Sequence, residues 1–130
     1  MYTIQKSEAF SDKLELKDAA GKSLVLDVRL GITPQIAKEY RALQIRLLDL
    51  QKQAADKPGN PETIEQTGRA VSDVLTLLFG TENLQKITEF YDGDFITMLA
   101  DLFPYIQNVI APKFADMAKA RRAQFKRRFK

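Results

Sequence analysis

The chain has 130 residues, 45% of them hydrophobic and 28% charged, a composition that suits one globular domain with its own core and excludes a disordered polymer. It has no cysteine and no histidine, which closes the disulfide, thiolate and imidazole routes and disfavours zinc and transition-metal sites. The formal +3 hides a segregation: residues 113–130 hold eight Lys or Arg and one acid, Asp116, for a net +7, whereas residues 1–112 sum to −4.

No apolar run reaches the ~20 residues that cross a bilayer. Met1 to Phe10 lacks the basic and apolar regions of a signal peptide. The expected location is the cytoplasm, with no membrane contact. A weak candidate strand covers Thr3 to Gln5. Residues 12–30 read as a hairpin. Leu14 and Leu16 alternate with Lys13, Glu15 and Lys17, and Leu24, Leu26, Val28 and Leu30 alternate with Asp27 and Arg29. Asp18-Ala19-Ala20-Gly21-Lys22 supplies the turn, with glycine available for a positive φ. An isolated hairpin is marginal in water, so this one must rest on a helical body.

Thr33 caps and Pro34 opens a first helix that runs to Ala55 or Asp56. Ile36, Tyr40, Leu43, Leu47, Leu50 and Ala54 form its apolar stripe, and Ile45 and Leu48 widen it. Lys57-Pro58-Gly59-Asn60 ends it. Asn60 and Pro61 repeat the device for a second helix with Ile64, Val71, Val74, Leu75 and Leu78 on one face, ending at Gly80. Gly68, in mid-helix, costs roughly 1 kcal/mol against alanine and leaves room for another element. Thr81 reads as the cap of a short third helix with Leu84, Ile87 and Phe90 inward, stopped by Asp92-Gly93-Asp94. From Phe95 the chain is apolar again, with Pro104 and Pro112 expected to kink or divide it into two or three helical pieces. The fold class is therefore α+β: an N-terminal β-hairpin followed by a mainly helical bundle of four to five helices. Residues 1–112 form a single domain, and residues 113–130 a basic amphipathic helix or tail. The expected core comprises Leu26, Val28, Leu43, Leu47, Val71, Leu75, Leu78, Ile87, Leu99, Leu102 and Ile106.

No chemistry-bearing motif stands out. Neither Gly80-Thr81 nor Gly93-Asp94 belongs to a phosphate loop, and Asp92-Gly93-Asp94 lacks the remaining ligands of a calcium loop and reads as a helix-to-helix turn. Asp12 with Glu15, and Glu62 with Glu65, are solvent-facing charges. Ser7, Ser11, Ser23 and Ser72 have no histidine to activate them, and no serine–lysine motif is present. The expectation is a binding protein without enzymatic activity, metal or cofactor. In the tail, Phe114, Met117, Ala118, Phe125 and Phe129 share one helical side that Arg121 and Arg128 interrupt or border. Lys119, Arg122, Lys126, Arg127 and Lys130 fill the rest. Such a helix suits an acidic helix, an anionic membrane or a nucleic-acid backbone, or it is simply solvated.

The order of elements adds a further indication. The hairpin and the Thr33-Pro34 helix are followed by Phe79-Gly80-Thr81-Glu82-Asn83, Tyr91-Asp92-Gly93-Asp94-Phe95 and Leu102-Phe103-Pro104-Tyr105-Ile106, with a charged helical end. This pattern, spread over most of the chain, resembles the tail assembly chaperones of long-tailed bacteriophages and prophages of Gram-positive hosts. The resemblance implies a protein of the host bacterial cytoplasm that binds the tape measure protein, helps the tail tube protein polymerise around it, and is absent from the finished virion. It also implies self-association and, in many members, a longer frameshifted form, and it transfers no chemical residues. A holdase needs exposed apolar surface. The candidate partner-binding residues are Ile45, Leu48, Phe79, Phe103, Tyr105, Phe114, Met117, Arg121, Arg122 and Phe125, with core packing as the competing role for the apolar ones. The alternative function is a small basic nucleic-acid-binding accessory protein. It rests on the tail alone, since no recognition helix or zinc finger accompanies it.

Overall fold

The computed structural model describes residues 1–4 and 10–128. Thr3 and Ile4 belong to no strand; Gln5, Ser7, Phe129 and Lys130 lie outside the described residues. The described chain is α+β, with strands β1 (Phe10–Lys17) and β2 (Ser23–Leu30) followed by helices α1 (Pro34–Asp56), α2 (Pro61–Phe79), α3 (Thr81–Phe90), α4 (Phe95–Tyr105) and α5 (Ala111–Arg128). A π-helical turn, Ile106–Ile110, joins α4 to α5.

The hairpin is antiparallel, with Leu14 opposite Leu26 and Leu16 opposite Leu24. Its turn is held by Asp18, whose Oδ1 accepts from the N–H groups of Ala20 and Lys22 at 3.0 and 2.9 Å. Gly21 supplies the left-handed φ of 86°. Leu16, Leu26, Val28 and Leu30 are buried on one face. Asp12 shares that face through its pairing with Val28. It is not a free solvent charge, because the Tyr105 hydroxyl donates to its Oδ2 at 2.9 Å.

Both proline-opened helices begin where the caps place them. Thr33 accepts from the Ile36 N–H at 3.2 Å, and Asn60 accepts from the Glu62 N–H at 3.0 Å. The third cap differs from expectation. Gly80, with φ 85°, caps α3, and Thr81 is the first helical residue. One glycine thus ends α2 and starts α3. Its N–H donates to the Thr76 carbonyl, and its carbonyl accepts from Leu84. At the next turn Asp92 and Gly93 both take positive φ. Asp94 then caps α4 by accepting from the Thr97 N–H at 3.2 Å and the Thr97 hydroxyl at 2.6 Å.

Helix α2 lies at the centre, against α1, α3, α4 and β2. Leu26, Leu75, Leu78, Ile87, Leu102 and Ile110 are fully buried around it, each contributing about 1.5–3 kcal/mol. Leu43, Leu47 and Leu99 are half-buried at the edge of this core. Ile64 departs from its expected place on the inner face of α2 and is about half exposed. The cause is the length of α4. Gly68, one turn further along, meets Phe95, the first residue of α4, so nothing of α4 extends over Ile64.

The segment after Phe95 is divided into three helical pieces, as the two prolines led one to expect, but without a break between them. The backbone stays right-handed helical at Tyr105, Ile106 and Ala111, so α4, the π-turn and α5 are three pieces of one rod. Its buried residues, Met98, Leu102, Ile106, Ile110 and Phe114, recur every four positions. In a regular α-helix that spacing drifts by about 40° per step, about 160° in all. The wide turn, in which the Ala111 N–H donates five residues back to the Ile106 carbonyl, inserts one residue and recovers about 100°. Phe114 therefore still faces the body, where its ring stacks on Tyr40 at 5.5 Å. Phe114, beyond the expected boundary at residue 112, belongs to the core, so the first turn of α5 packs against the body.

Candidate partner-binding surface

The ten candidate residues separate into three groups. Phe79 and Phe114 are buried at 3% and 8% exposure, so they are core and offer no free surface. Phe79 stacks on Tyr105 at 6.2 Å, and Tyr105 is itself half-buried, with its hydroxyl committed to Asp12. Tyr105 and Phe114 lie on the inner side of the rod and Phe79 at the end of α2, and the helical period alone did not distinguish an inner side from a surplus stripe.

Ile45 and Leu48, 49% and 57% exposed, face outward from α1. Ile45 borders a shallow furrow between α1 and α2, together with Ala42, Leu50, Gln66 and Arg69. A second furrow, with Leu43, Thr76 and Leu77 in its walls, shares Ala42. The Arg46–Asp73 ion pair, at 2.8 Å, bridges α1 and α2 between them. Phe103 is 46% exposed on α4.

The third group is on α5. Met117 is half-buried, whereas Arg121, Arg122 and Phe125 are exposed, as are Lys119, Lys126 and Arg127. From Ala118 onward α5 overhangs the body. Its apolar side is sparse: Phe114 is spent on the core, Arg121 interrupts the stripe, and Phe125 stands exposed beyond it. Over its described residues the tail is helical and strongly basic.

Among the described residues, three tyrosines and one aspartate depart from their ordinary ionisation. Burial, reinforced by the Asp101 carboxylate that accepts its hydroxyl at 2.9 Å, pushes the Tyr91 phenol up to about 12. Burial and Asp12 push Tyr105 upward in the same way, and burial raises Tyr40. Hydrogen bonds from Thr97 hold the Asp94 carboxyl below its ordinary value. The tyrosine shifts come first from burial, and the Asp94 shift from its helix-capping hydrogen bonds. Among the described residues no cluster of acidic side chains could hold a metal ion, and no helix is long and apolar enough to cross a membrane.

The sequence reading missed a third charge zone. Residues 1–80 balance at zero, and residues 81–112 carry five acids, Glu82, Glu89, Asp92, Asp94 and Asp101, against Lys86 alone. The negative charge of the body is thus that of the α3–α4 hairpin. The count was available in the sequence; its position relative to the basic tail was not.

No protein-family model matches the chain, and no curated protein or solved structure matches it.

Proposed function

We propose that this protein is a non-enzymatic tail assembly chaperone of a long-tailed phage or prophage. In this reading it holds a long helical client, the tape measure protein, in the host bacterial cytoplasm while the tail tube forms, and it is not part of the mature virion. The observation that carries the reading is the pair of exposed apolar side chains on α1, Ile45 and Leu48, beside a furrow that α1 and α2 form. A client helix resting there would present apolar side chains at i, i+3 and i+4 spacing. The order of elements that resembles the tail chaperones supports it, as does a composition without histidine or cysteine. The exposed cations of α5 would steer an acidic client toward this face.

The test is a co-expression pull-down with the phage tail proteins in moderate salt, with nuclease added. The full chain should recover the tape measure protein. A variant with Ile45→Lys and Leu48→Lys, still helical by circular dichroism, should lose it. A chain ending at Ala118, which keeps the buried Phe114, should retain part of the binding. The same α5 cations favour one competing reading, a nucleic-acid-binding accessory protein. Recovery of nucleic acid alone, lost on truncation at Ala118, would replace the chaperone reading with that one.

A further inference from the structure

We propose that the outward side of α5 beyond Ala118 binds the phosphate backbone of double-stranded DNA, without sequence preference, as a second site beside the client surface on α1. Lys119, Arg121, Arg122, Lys126 and Arg127 are exposed. Among the described residues no ion pair engages them, and no acidic residue follows Asp116 in the sequence. At about 100° per residue, four of them, Lys119, Arg122, Lys126 and Arg127, fall within an arc of about 140°. The centre of that arc lies about 150° round the helix from Phe114, whose ring packs α5 on Tyr40. The four cations therefore point away from the body, over an axial length of about 12 Å.

The make-up of that side decides what it fits. Between Lys119 and Arg127 its one other residue is Ala123, so a ligand backbone can come close and no large apolar side chain is offered. A helix lying in a membrane surface needs a broad apolar face. Here Met117 and Phe125 are on the side of Phe114, with Arg121 between them. A helical protein partner would dock on an apolar stripe, which the cationic side equally lacks. Phosphate contacts need the cations alone. Duplex DNA carries one charge per ~1.7 Å of axis, so about seven phosphates lie along those ~12 Å. Its major groove, about 12 Å wide, admits a helix, and an arc of about 140° spreads the cations toward both walls. The major groove of an RNA duplex is too narrow for this. The rest of the chain, net −4 over residues 1–112, adds no attraction. In the competing reading these cations are the whole function. Here they form a second site that involves neither Ile45 nor Leu48 and stands whatever the client is.

The experiment is fluorescence anisotropy of a labelled random-sequence DNA duplex, titrated with full chain freed of nucleic acid, at several salt concentrations. Four phosphate contacts set a slope of log K against log[salt] near about −3.6, so affinity should fall roughly 150-fold between about 0.05 M and about 0.2 M salt. Lys119→Gln with Lys126→Gln should halve the slope to about −1.8. Arg121→Gln, on the other side of the helix, should leave the parent slope in place. Both variants should keep the parent's helicity by circular dichroism. The chain ending at Ala118 should lose the DNA and keep part of the client binding, which separates this site from the client surface. No binding to the duplex at up to about 100 µM protein in the lowest salt would overturn the proposal. So would a slope that Arg121→Gln lowers as much as the double change does, tighter binding to anionic lipid vesicles or to an RNA duplex, or DNA binding that survives truncation at Ala118.

Discussion

Gly68 shows how a single missing methyl group sets the approach of two helices. A Cβ there would lie 3.0–3.3 Å from three ring atoms of Phe95, closer than a rigid ring tolerates without moving. Alanine would gain roughly 1 kcal/mol of helix propensity and lose more through displacement of the ring. Gly68→Ala alone should therefore destabilise by about 1 kcal/mol, whereas in a Phe95→Ala background the same change should stabilise by about as much. Chemical denaturation of the four proteins checks the sign reversal. The tyrosines give a pH prediction at the same scale. Tyr91 is raised from 10.0 to about 12 and Tyr105 moves in the same direction, so the fold favours the neutral phenols. Their contribution is whole below pH 10 and is lost as pH rises from 10 through 12, where the unfolded chain ionises first. A Tyr91→Phe, Tyr105→Phe variant should lose less stability than the parent between about pH 8 and about pH 11, measured by denaturant titration at each pH.

At the scale of elements, the rod from Phe95 to Arg128 belongs half to the core and half to solvent, and the division falls after Met117. Phe114→Ala should cost about 3–5 kcal/mol, since it empties the site against Tyr40. Phe125→Ala, at 65% exposure, should stay within about 0.5 kcal/mol. Truncation gives the sharper comparison. A chain ending at Ala118 should melt close to the parent, and one ending at Pro112 should melt well below it because Phe114 is gone. Hairpin, caps and helix order could be read in advance because they rest on local rules. Alternation defines the strands, and Thr33-Pro34 and Asn60-Pro61 satisfy the first N–H groups of their helices without help from elsewhere. The Thr81 cap was misplaced because Gly80 serves two helices at once, which depends on how sharply α3 turns away from α2.

At the scale of the molecule, helix α2 collects the hairpin, α1, α3 and α4 around it, and the uncancelled charge falls in two zones, a net −4 over residues 81–112 and a net +7 over residues 113–130. In the proposed reading the apolar pair on α1 serves a client. Ile45→Lys with Leu48→Lys should abolish client recovery in the pull-down, and truncation at Ala118 should leave part of it.

The sequence by itself determined the elements, their order, the neutral N-terminal part and the basic end, because propensity, capping and periodicity act over a few residues. It could not say which apolar stripe faced inward, since the helices that carry Phe79, Tyr105 and Phe114 read the same whether those rings meet a neighbour or solvent. Tertiary structure decided that. It buried all or part of each of those rings, left Ile45, Leu48 and Phe125 outside, and exposed Ile64 because α4 begins one turn too late to cover it. It also decided that the two prolines would bracket a wide turn in a continuous rod. The stripe from Met98 to Phe114 is held to the body by its packing, and the backbone gives way by one residue to keep it there.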